Sequence, residues 1–86
     1  PRTSLRSGRR DHLRMSTVFA EQPGAVVRHL SLPGAGVALG TQVLVVETMK
    51  FETTICSPAA GVLDDIAPLG QVVEVGSPLF TIRRSP

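Results

Sequence analysis

The stretches 34-GAGVALG-40 and 70-GQVVEVG-76 carry one pattern, G-x-x-V-x-x-G, at two places separated by 36 residues. When the whole chain is shifted by this offset, further apolar and turn residues coincide. The matched pairs are Val26 and Val62, Leu30 and Ile66, Gly34 and Gly70, Val37 and Val73, Leu39 and Val75, Gly40 and Gly76, Thr41 and Ser77, and Val43 and Leu79. The preceding segments 17-TVFA-20 and 53-TTIC-56 match in the same way. One glycine alone is explained by a turn, but matches in one register predict an internal repeat.

Short runs of Val, Leu and Ile, separated at close intervals by Gly and Pro, make up most of the chain after residue 16. No stretch has a sustained period of about 3.6 residues, and this pattern is typical of an all-β protein. Strands are predicted at 17–20, 25–30, 43–47, 51–57, 61–67 and 79–83, with shorter pieces at 37–39 and 73–75. Turns are predicted between them, at the Pro and Gly positions.

Each half of the repeat is too short to bury one face of a sheet by itself. The two halves are therefore expected to pack as a two-sheet sandwich or flattened barrel, related by a pseudo-twofold axis. The junction between the halves, residues 48–52, is then a single hairpin. Under the offset of 36 residues, the two chain termini occupy the position symmetric to this hairpin. Lys50, the only lysine, is expected to project from the pole opposite the termini.

The basic charge of the chain lies in its N-terminal tail. Residues 1–14 carry five arginines and Asp11, a net of +4, whereas residues 15–86 carry a net of −2. The tail has no apolar period and is rich in Arg, Ser and Gly, so residues 1–15 are expected to form a disordered basic extension. We interpret it as sequence ahead of a native start at Met15, with a transit peptide as the alternative. One folded domain is expected over residues 16–84.

Composition disfavours several kinds of site. Cys56 is the only cysteine, which rules out an internal disulfide and favours a reducing compartment, so a cytoplasmic location is expected. With only His12 and His29 beside it, the chain has no metal-ligand spacing. Cys56 is expected to be a buried strand residue, and His29 a half-exposed one. The absence of Tyr and Trp disfavours a stacking surface for nucleic acid, and no stretch is long enough to span a membrane.

The junction 43-VLVVETMKFETTI-55 does not read as a turn. It has no Asn, Gly, Asp or Pro at its centre, although a tight hairpin normally needs residues that tolerate positive φ. Such departures from local preference concentrate at functional sites. The sequence therefore predicts that Lys50 is functional.

The segments 47-ETMKF-51 and 58-PAAG-61 combine a hairpin lysine with a P-x-x-G that opens the second half. With them, residues 16–84 resemble the biotinyl/lipoyl carrier domains of biotin-dependent carboxylases and 2-oxo acid dehydrogenases. The resemblance implies a flattened β-barrel of two four-stranded antiparallel sheets. It also implies a covalently modified lysine at a hairpin tip, and Lys50 has the matching position.

The neighbours of Lys50 bear on which cofactor the resemblance implies. Biotin acceptors of this family usually read Ala-Met-Lys-Met, and lipoyl acceptors usually read Thr-Asp-Lys-Ala. Met49 matches the biotin group, whereas Thr48 is seen more in lipoyl domains and Phe51 replaces the second methionine. The resemblance implies biotin on Lys50, with lipoate on Lys50 or an unmodified adaptor of the same fold as alternatives. Met49 and Phe51 are expected to offer a ligase an apolar patch, with Thr48 and Glu47 beside them.

A biotin carboxyl carrier domain is what the resemblance therefore implies. In this family a biotin protein ligase attaches the cofactor, which accepts a carboxyl group at a biotin carboxylase and delivers it at a carboxyltransferase. The domain is expected to be a carrier without catalytic groups of its own, since no Ser-His-Asp set or phosphate-binding glycine loop is present. Glu47 and Glu52 are interpreted as solvated residues near the tip, and Asp64 and Asp65 as an exposed strand or turn edge.

Overall fold

The computed structural model describes residues 14–84, and this part of the chain folds into eight β-strands without a helix. The six longer predicted strands are present, with ends that differ from the prediction by at most two residues. The predicted extension lies, for residues 1–13, outside the described residues. The first strand begins at Met15, one residue before the predicted domain boundary. The strands are β1 Met15–Phe19, β2 Gly24–His29, β3 Gly36–Val37, β4 Gln42–Glu47, β5 Glu52–Cys56, β6 Gly61–Ile66, β7 Val72–Val73 and β8 Pro78–Arg83.

The strands form two four-stranded sheets, with the orders β1-β8-β6-β3 and β5-β4-β2-β7. Every strand pair is antiparallel. Exchanging β1 to β4 with β5 to β8 converts one sheet order into the other, which is the pseudo-twofold relation predicted from the repeat. The predicted all-β flattened barrel of two four-stranded antiparallel sheets is confirmed.

The core lies between the two sheets and is built from the repeated Val and Leu positions. Phe80 is the one aromatic side chain in it, at 2% exposure. The twofold-related strands β4 and β8, each flanked by a strand on both sides, supply the largest share. Burying one such side chain contributes about 1.5–3 kcal/mol. The largest fully buried residues are Phe80, Leu44, Leu63, Leu79, Ile82, Val26, Val43 and Val73.

The two halves repeat their turns as well as their strands. Gly40 and Gly76 both have a φ of 90°, a left-handed conformation that costs glycine no steric penalty. Gly34 and Gly70 form a second pair with positive φ, again 36 residues apart. The predicted G-x-x-V-x-x-G repeat therefore marks two equivalent pairs of turns.

The single offset of 36 residues is wrong for β1 and β2. Val26 pairs with Val46, and Leu63 pairs with Ile82. Because Val46 and Ile82 are equivalent under the offset of 36, Val26 corresponds to Leu63, at an offset of 37. The equivalences over the first two strands of each half are thus Val18 with Ile55, Ala20 with Ser57, Ala25 with Val62, Val26 with Leu63, and Leu30 with Ala67.

The shift of one residue arises in the loop after β2. Leu30 and Ala67 donate equivalent backbone hydrogen bonds, to the carbonyls of Val43 and Leu79, both at 2.7 Å. Three residues separate Leu30 from Gly34, whereas two separate Ala67 from Gly70. The sequence alone aligned Val26 with Val62 because adjacent apolar residues match in either register. Strand pairing decides the register, since a slip by one residue turns each side chain to the other face.

The termini meet at one end of the domain, and the β4–β5 hairpin lies at the other. The Arg84 amide donates to the Arg14 carbonyl at 2.9 Å, which joins the two ends of the described chain. β1 leads away from this terminal pole, and its far end connects through residues 20–23 to Gly24, beside Glu47. We call the end that holds Gly24 and residues 47–52 the hairpin pole. The predicted placement of the junction opposite the termini is confirmed.

The short strands β3 and β7 begin one residue earlier and end two residues earlier than predicted, because a hydroxyl-capped turn follows each. The Ala38 amide donates to Thr41 Oγ1 at 2.8 Å, and the Glu74 amide donates to Ser77 Oγ at 2.9 Å. Both amides therefore bond to a side chain inside the turn. These twofold-related bonds also explain the Thr41 and Ser77 match in the sequence.

Replacing Ser77 with alanine is expected to lower the free energy of unfolding by about 0.5–1.5 kcal/mol, the usual contribution of one hydrogen bond. Ser77→Thr keeps the hydroxyl and is expected to stay near the wild-type value. Chemical denaturation of both variants measures the difference. Equal stability of the alanine variant and the wild type would contradict a stabilising role for this cap.

Candidate functional site

The hairpin pole is built by β4, by β5 and by the turn between them. From the pair Leu44 and Ile55 onward the two strands are in register up to their last pair, Glu47 and Glu52. The turn from Thr48 to Phe51 then brings Lys50 to the tip. Strand β4 anchors this hairpin because its residues 43–46 are all buried. The lysine is thus held at the end of one of the most deeply packed strands of the domain.

Two hydrogen bonds from Thr48 close the turn. Its amide and its Oγ1 hydroxyl both donate to the Phe51 carbonyl oxygen, each at 2.9 Å. Among residues 14–84 no residue other than glycine has a positive φ. The turn therefore departs from the usual tight hairpin, as its sequence indicated, and it forms without a residue of positive φ. A wider turn with a side-chain bond replaces the Gly or Asn that a tight hairpin would use.

The side chains at the tip face solvent. Lys50 is exposed, Met49 is 101% exposed, and Phe51 is 53% exposed. Other large apolar side chains of the described residues are exposed as well, such as Leu39 and Val72, but Met49 and Phe51 are the pair that flanks an amine. The arrangement presents a primary amine between a thioether and an aromatic ring, with access from outside.

Glu47 and Glu52 stand directly opposite each other at the base of the turn, and both are exposed. Like charges in this position are mildly destabilising, and solvent exposure keeps the cost small. They are solvated carboxylates, as predicted, and they make the base of the hairpin acidic. Of the five predicted site residues, only Thr48 is partly buried.

A shallow cavity of about 240 Å³ lies beside the turn, between the edge strands β1 and β5. Thr48 lines one side of it, and Glu21 and Gln22 of the β1–β2 loop line another. No motif in the sequence groups Glu21 and Gln22 with Lys50. Pro23-Gly24 indicated a loop there, but only the pairing of Ala25 with Glu47 brings that loop to the hairpin.

The remaining residues singled out from the sequence lie elsewhere. Cys56 is exposed on the edge strand β5, so the prediction that it is buried is wrong. An edge strand leaves its outward side chains uncovered, and Cys56 is one of them. His29 is half-buried on β2, as predicted, and its Nε2 lies 2.7 Å from the Ala67 carbonyl oxygen. Asp64 is half-buried and Asp65 exposed, both on β6.

The part of the chain from residue 14 to residue 84 holds no group of three or more His, Cys, Asp or Glu side chains arranged to bind a metal ion. It also has no helix of the length and apolarity that crossing a membrane requires. The chemically distinctive feature within these residues is the exposed amine at the hairpin pole.

The family model and the curated relatives that match this chain agree on one family. The family model described as "Biotin-requiring enzyme" matches residues 14–82. The mitochondrial methylcrotonoyl-CoA carboxylase subunit alpha of Oryza sativa subsp. japonica is 39% identical over 83 residues, which is 95% of this chain and 11% of the relative. The chain thus spans about a tenth of the length of this relative.

Solved structures share the fold. A single-chain, multi-domain long-chain acyl-CoA carboxylase matches with a TM-score of 0.75 and 30% identity, over 84% of this chain and 7% of that chain. The lipoyl domain of the 2-oxoglutarate dehydrogenase complex from Azotobacter vinelandii matches with a TM-score of 0.70 and 22% identity. That match covers 81% of this chain and 98% of the lipoyl domain, and it supports the fold alone. With a family model matching from the first strand to the last, the chain belongs to the biotin/lipoyl family of attachment domains.

Proposed function

We propose that this domain is a biotin carboxyl carrier, with biotin attached through an amide to Lys50. The observation that carries the proposal is the presentation of Lys50, an exposed amine at the tip of a hairpin opposite the termini. Covalent attachment requires an amine that a second protein can reach, and the free tip meets this requirement. The similarity to carboxylase subunits supports biotin as the group attached.

Attachment is a nucleophilic acyl transfer. The neutral Nζ of Lys50 would attack the carbonyl carbon of an activated biotin held by a biotin protein ligase. The activating group would leave with the electrons of the broken acyl bond, and Nζ would release one proton to give the amide. The new amide removes the charge of the lysine, so the net charge of residues 15–86 falls from −2 to −3. Met49 and Phe51 offer the ligase an apolar contact surface on either side of the amine. Glu47 and Glu52 are available to contact basic groups of the ligase.

The chain's own role after attachment is presentation. Bound biotin supplies a ring nitrogen that carries a carboxyl group. The hairpin holds the attachment point away from the body of the domain, and the partner proteins, a biotin carboxylase and a carboxyltransferase, supply the catalytic groups. A tether of this kind replaces diffusion with an effective concentration in about the millimolar range.

Lipoate on the same lysine is the alternative, and one residue favours it. Thr48 is the residue seen more in lipoyl domains, whereas Met49 is the one seen in biotin acceptors. No carboxylate directly flanks Lys50 in the sequence, and this supports biotin. An unmodified adaptor of the same fold is the third possibility that an experiment has to separate.

Intact mass spectrometry distinguishes these three functions. The protein is produced in cells that contain both a biotin ligase and a lipoate ligase, with both cofactors supplied. We expect the mass increment of one biotinyl group, and fragmentation that locates it on Lys50. A lipoyl increment would support the alternative carrier, and an unmodified mass under these conditions would contradict both.

A further inference from the structure

We propose that the Thr48 hydroxyl is a positioning group, which holds the turn in the shape that presents Lys50 to its modifying enzyme. This inference rests on the proposed function, because it assumes that Lys50 is the acceptor. Thr48 itself takes no part in the acyl transfer. It acts through the Phe51 carbonyl, to which its hydroxyl donates at 2.9 Å.

The turn has little else to fix its shape. Its two central residues, Met49 and Lys50, are exposed, and neither is a glycine or a proline that would favour a turn conformation. Thr48 is the half-buried residue of the turn, so its side chain is supported by the domain while the tip is not. The second hydrogen bond therefore ties the exposed Phe51 end of the turn to the half-buried Thr48 end.

The opposite pole uses the same arrangement with different chemistry. Under the repeat, Thr48 corresponds to Arg84 and Phe51 corresponds to Arg14. The Arg84 amide and its Nε both donate to the Arg14 carbonyl, at 2.9 and 3.1 Å. At each pole one carbonyl oxygen thus accepts two hydrogen bonds from a single residue, one from its backbone amide and one from its side chain. The residue type differs between the poles, Arg84 at one and Thr48 at the other. What the two poles share is the hydrogen bond donated by the side chain.

Holding the turn in advance lowers the cost of binding. If a ligase binds only one conformation of the turn, its apparent affinity is proportional to the fraction of molecules in that conformation. Loss of one modest hydrogen bond shifts such an equilibrium by about two- to tenfold. The effect is expected in the KM of the domain as a substrate, because the reacting amine itself is unchanged.

The test compares Thr48→Val, which removes the hydroxyl with little change in shape, with Thr48→Ser, which retains it. Thr54→Val is the matched control, since Thr54 is an exposed threonine of β5 outside the turn. Each protein is biotinylated in vitro by a biotin protein ligase, and NMR relaxation measures the backbone order of residues 48–51 without any ligase. For Thr48→Val we expect a raised KM, by at most about tenfold, with kcat unchanged, and lower order at Met49 and Lys50. Thr48→Ser and Thr54→Val are expected to behave as the wild type.

The outcomes separate the two proposals. If the wild type takes up no biotin, the proposed function fails and this inference fails with it. If the wild type is biotinylated and Thr48→Val has the same KM, only the positioning role is overturned. A Thr48→Ser variant as poor as Thr48→Val also overturns it, because the hydroxyl would then not be the active feature. The same rise in KM for Thr54→Val would assign the effect to the strand and overturn the role of Thr48.

Discussion

Lys50→Arg is expected to abolish biotin incorporation while leaving the fold intact. Arginine keeps the positive charge and a similar length, but its guanidinium stays protonated in proteins and offers no neutral amine to an activated acyl group. Because Lys50 is the only lysine in the chain, no other side chain supplies an equivalent amine. A streptavidin blot of the variant should show no signal where the wild type gives one.

The same variant tests whether Lys50 also has a structural role. Its side chain is exposed at the tip, and surface substitutions of this kind usually change the free energy of unfolding by less than about 0.5 kcal/mol. Thermal denaturation should give the same Tm for the variant and the wild type, to within a few degrees. A streptavidin signal that persists in the variant would contradict attachment at Lys50. A Tm lowered by many degrees would instead identify Lys50 as a structural residue.

Gly24→Ala should destabilise the domain, because the added methyl group has no space. A Cβ at Gly24 would lie well inside 3.0 Å of the Glu47 carbonyl oxygen and 2.9 Å from Val46 Cγ1. The oxygen belongs to β4, the central strand that anchors the hairpin, so the clash cannot be relieved by turning a side chain. We expect a loss of about 1–3 kcal/mol, which lowers Tm by about 4–8 °C per kcal/mol.

Two other glycines provide matched comparisons. Gly61 is the twofold equivalent of Gly24, and a Cβ there would meet the Arg83 carbonyl oxygen at 2.5 Å. Gly61→Ala should cost a similar free energy, but at the terminal pole. Gly36→Ala should be neutral, since a Cβ there has no neighbour within 4 Å and Gly36 has no positive φ. If Gly24→Ala unfolds at the same temperature as Gly36→Ala, the close packing of β2 against β4 does not explain the glycine at position 24.

Gly24→Ala and Gly61→Ala together distinguish an effect on the stability of the domain from an effect on the presentation of Lys50. Both Gly24→Ala and Gly61→Ala lower stability, but only the first disturbs the carbonyl next to Thr48 at the hairpin pole. The modification rate should therefore fall further in Gly24→Ala, measured at a temperature where both variants are folded. Equal rates would indicate that the hairpin is insensitive to the packing beneath it.

Much of the fold could be predicted from local patterns in the sequence. Alternating apolar residues and regular Gly and Pro positions predicted the strands, and the repeat predicted two equivalent halves around one hairpin. The register within the first two strands was not accessible, because neighbouring apolar residues at 26 and 27 and at 62 and 63 match at either offset. The exposure of Cys56 was also missed, since an edge position depends on which strands pair.

The sequence by itself determined the all-β class, the twofold repeat and the singular position of Lys50. These follow from properties that each residue has locally, its hydrophobicity and the backbone conformations that it tolerates. Only the tertiary structure decided the offset of 37 residues over the first two strands, the approach of Glu21 and Gln22 to the hairpin, and the bonding of Thr48. Each of these depends on pairing between strands distant in sequence, or on which carbonyl a side chain reaches after the chain has turned. The turn that carries Lys50 lacks a local turn signal because its shape comes from the Thr48 bonds and from the strand packed beneath it.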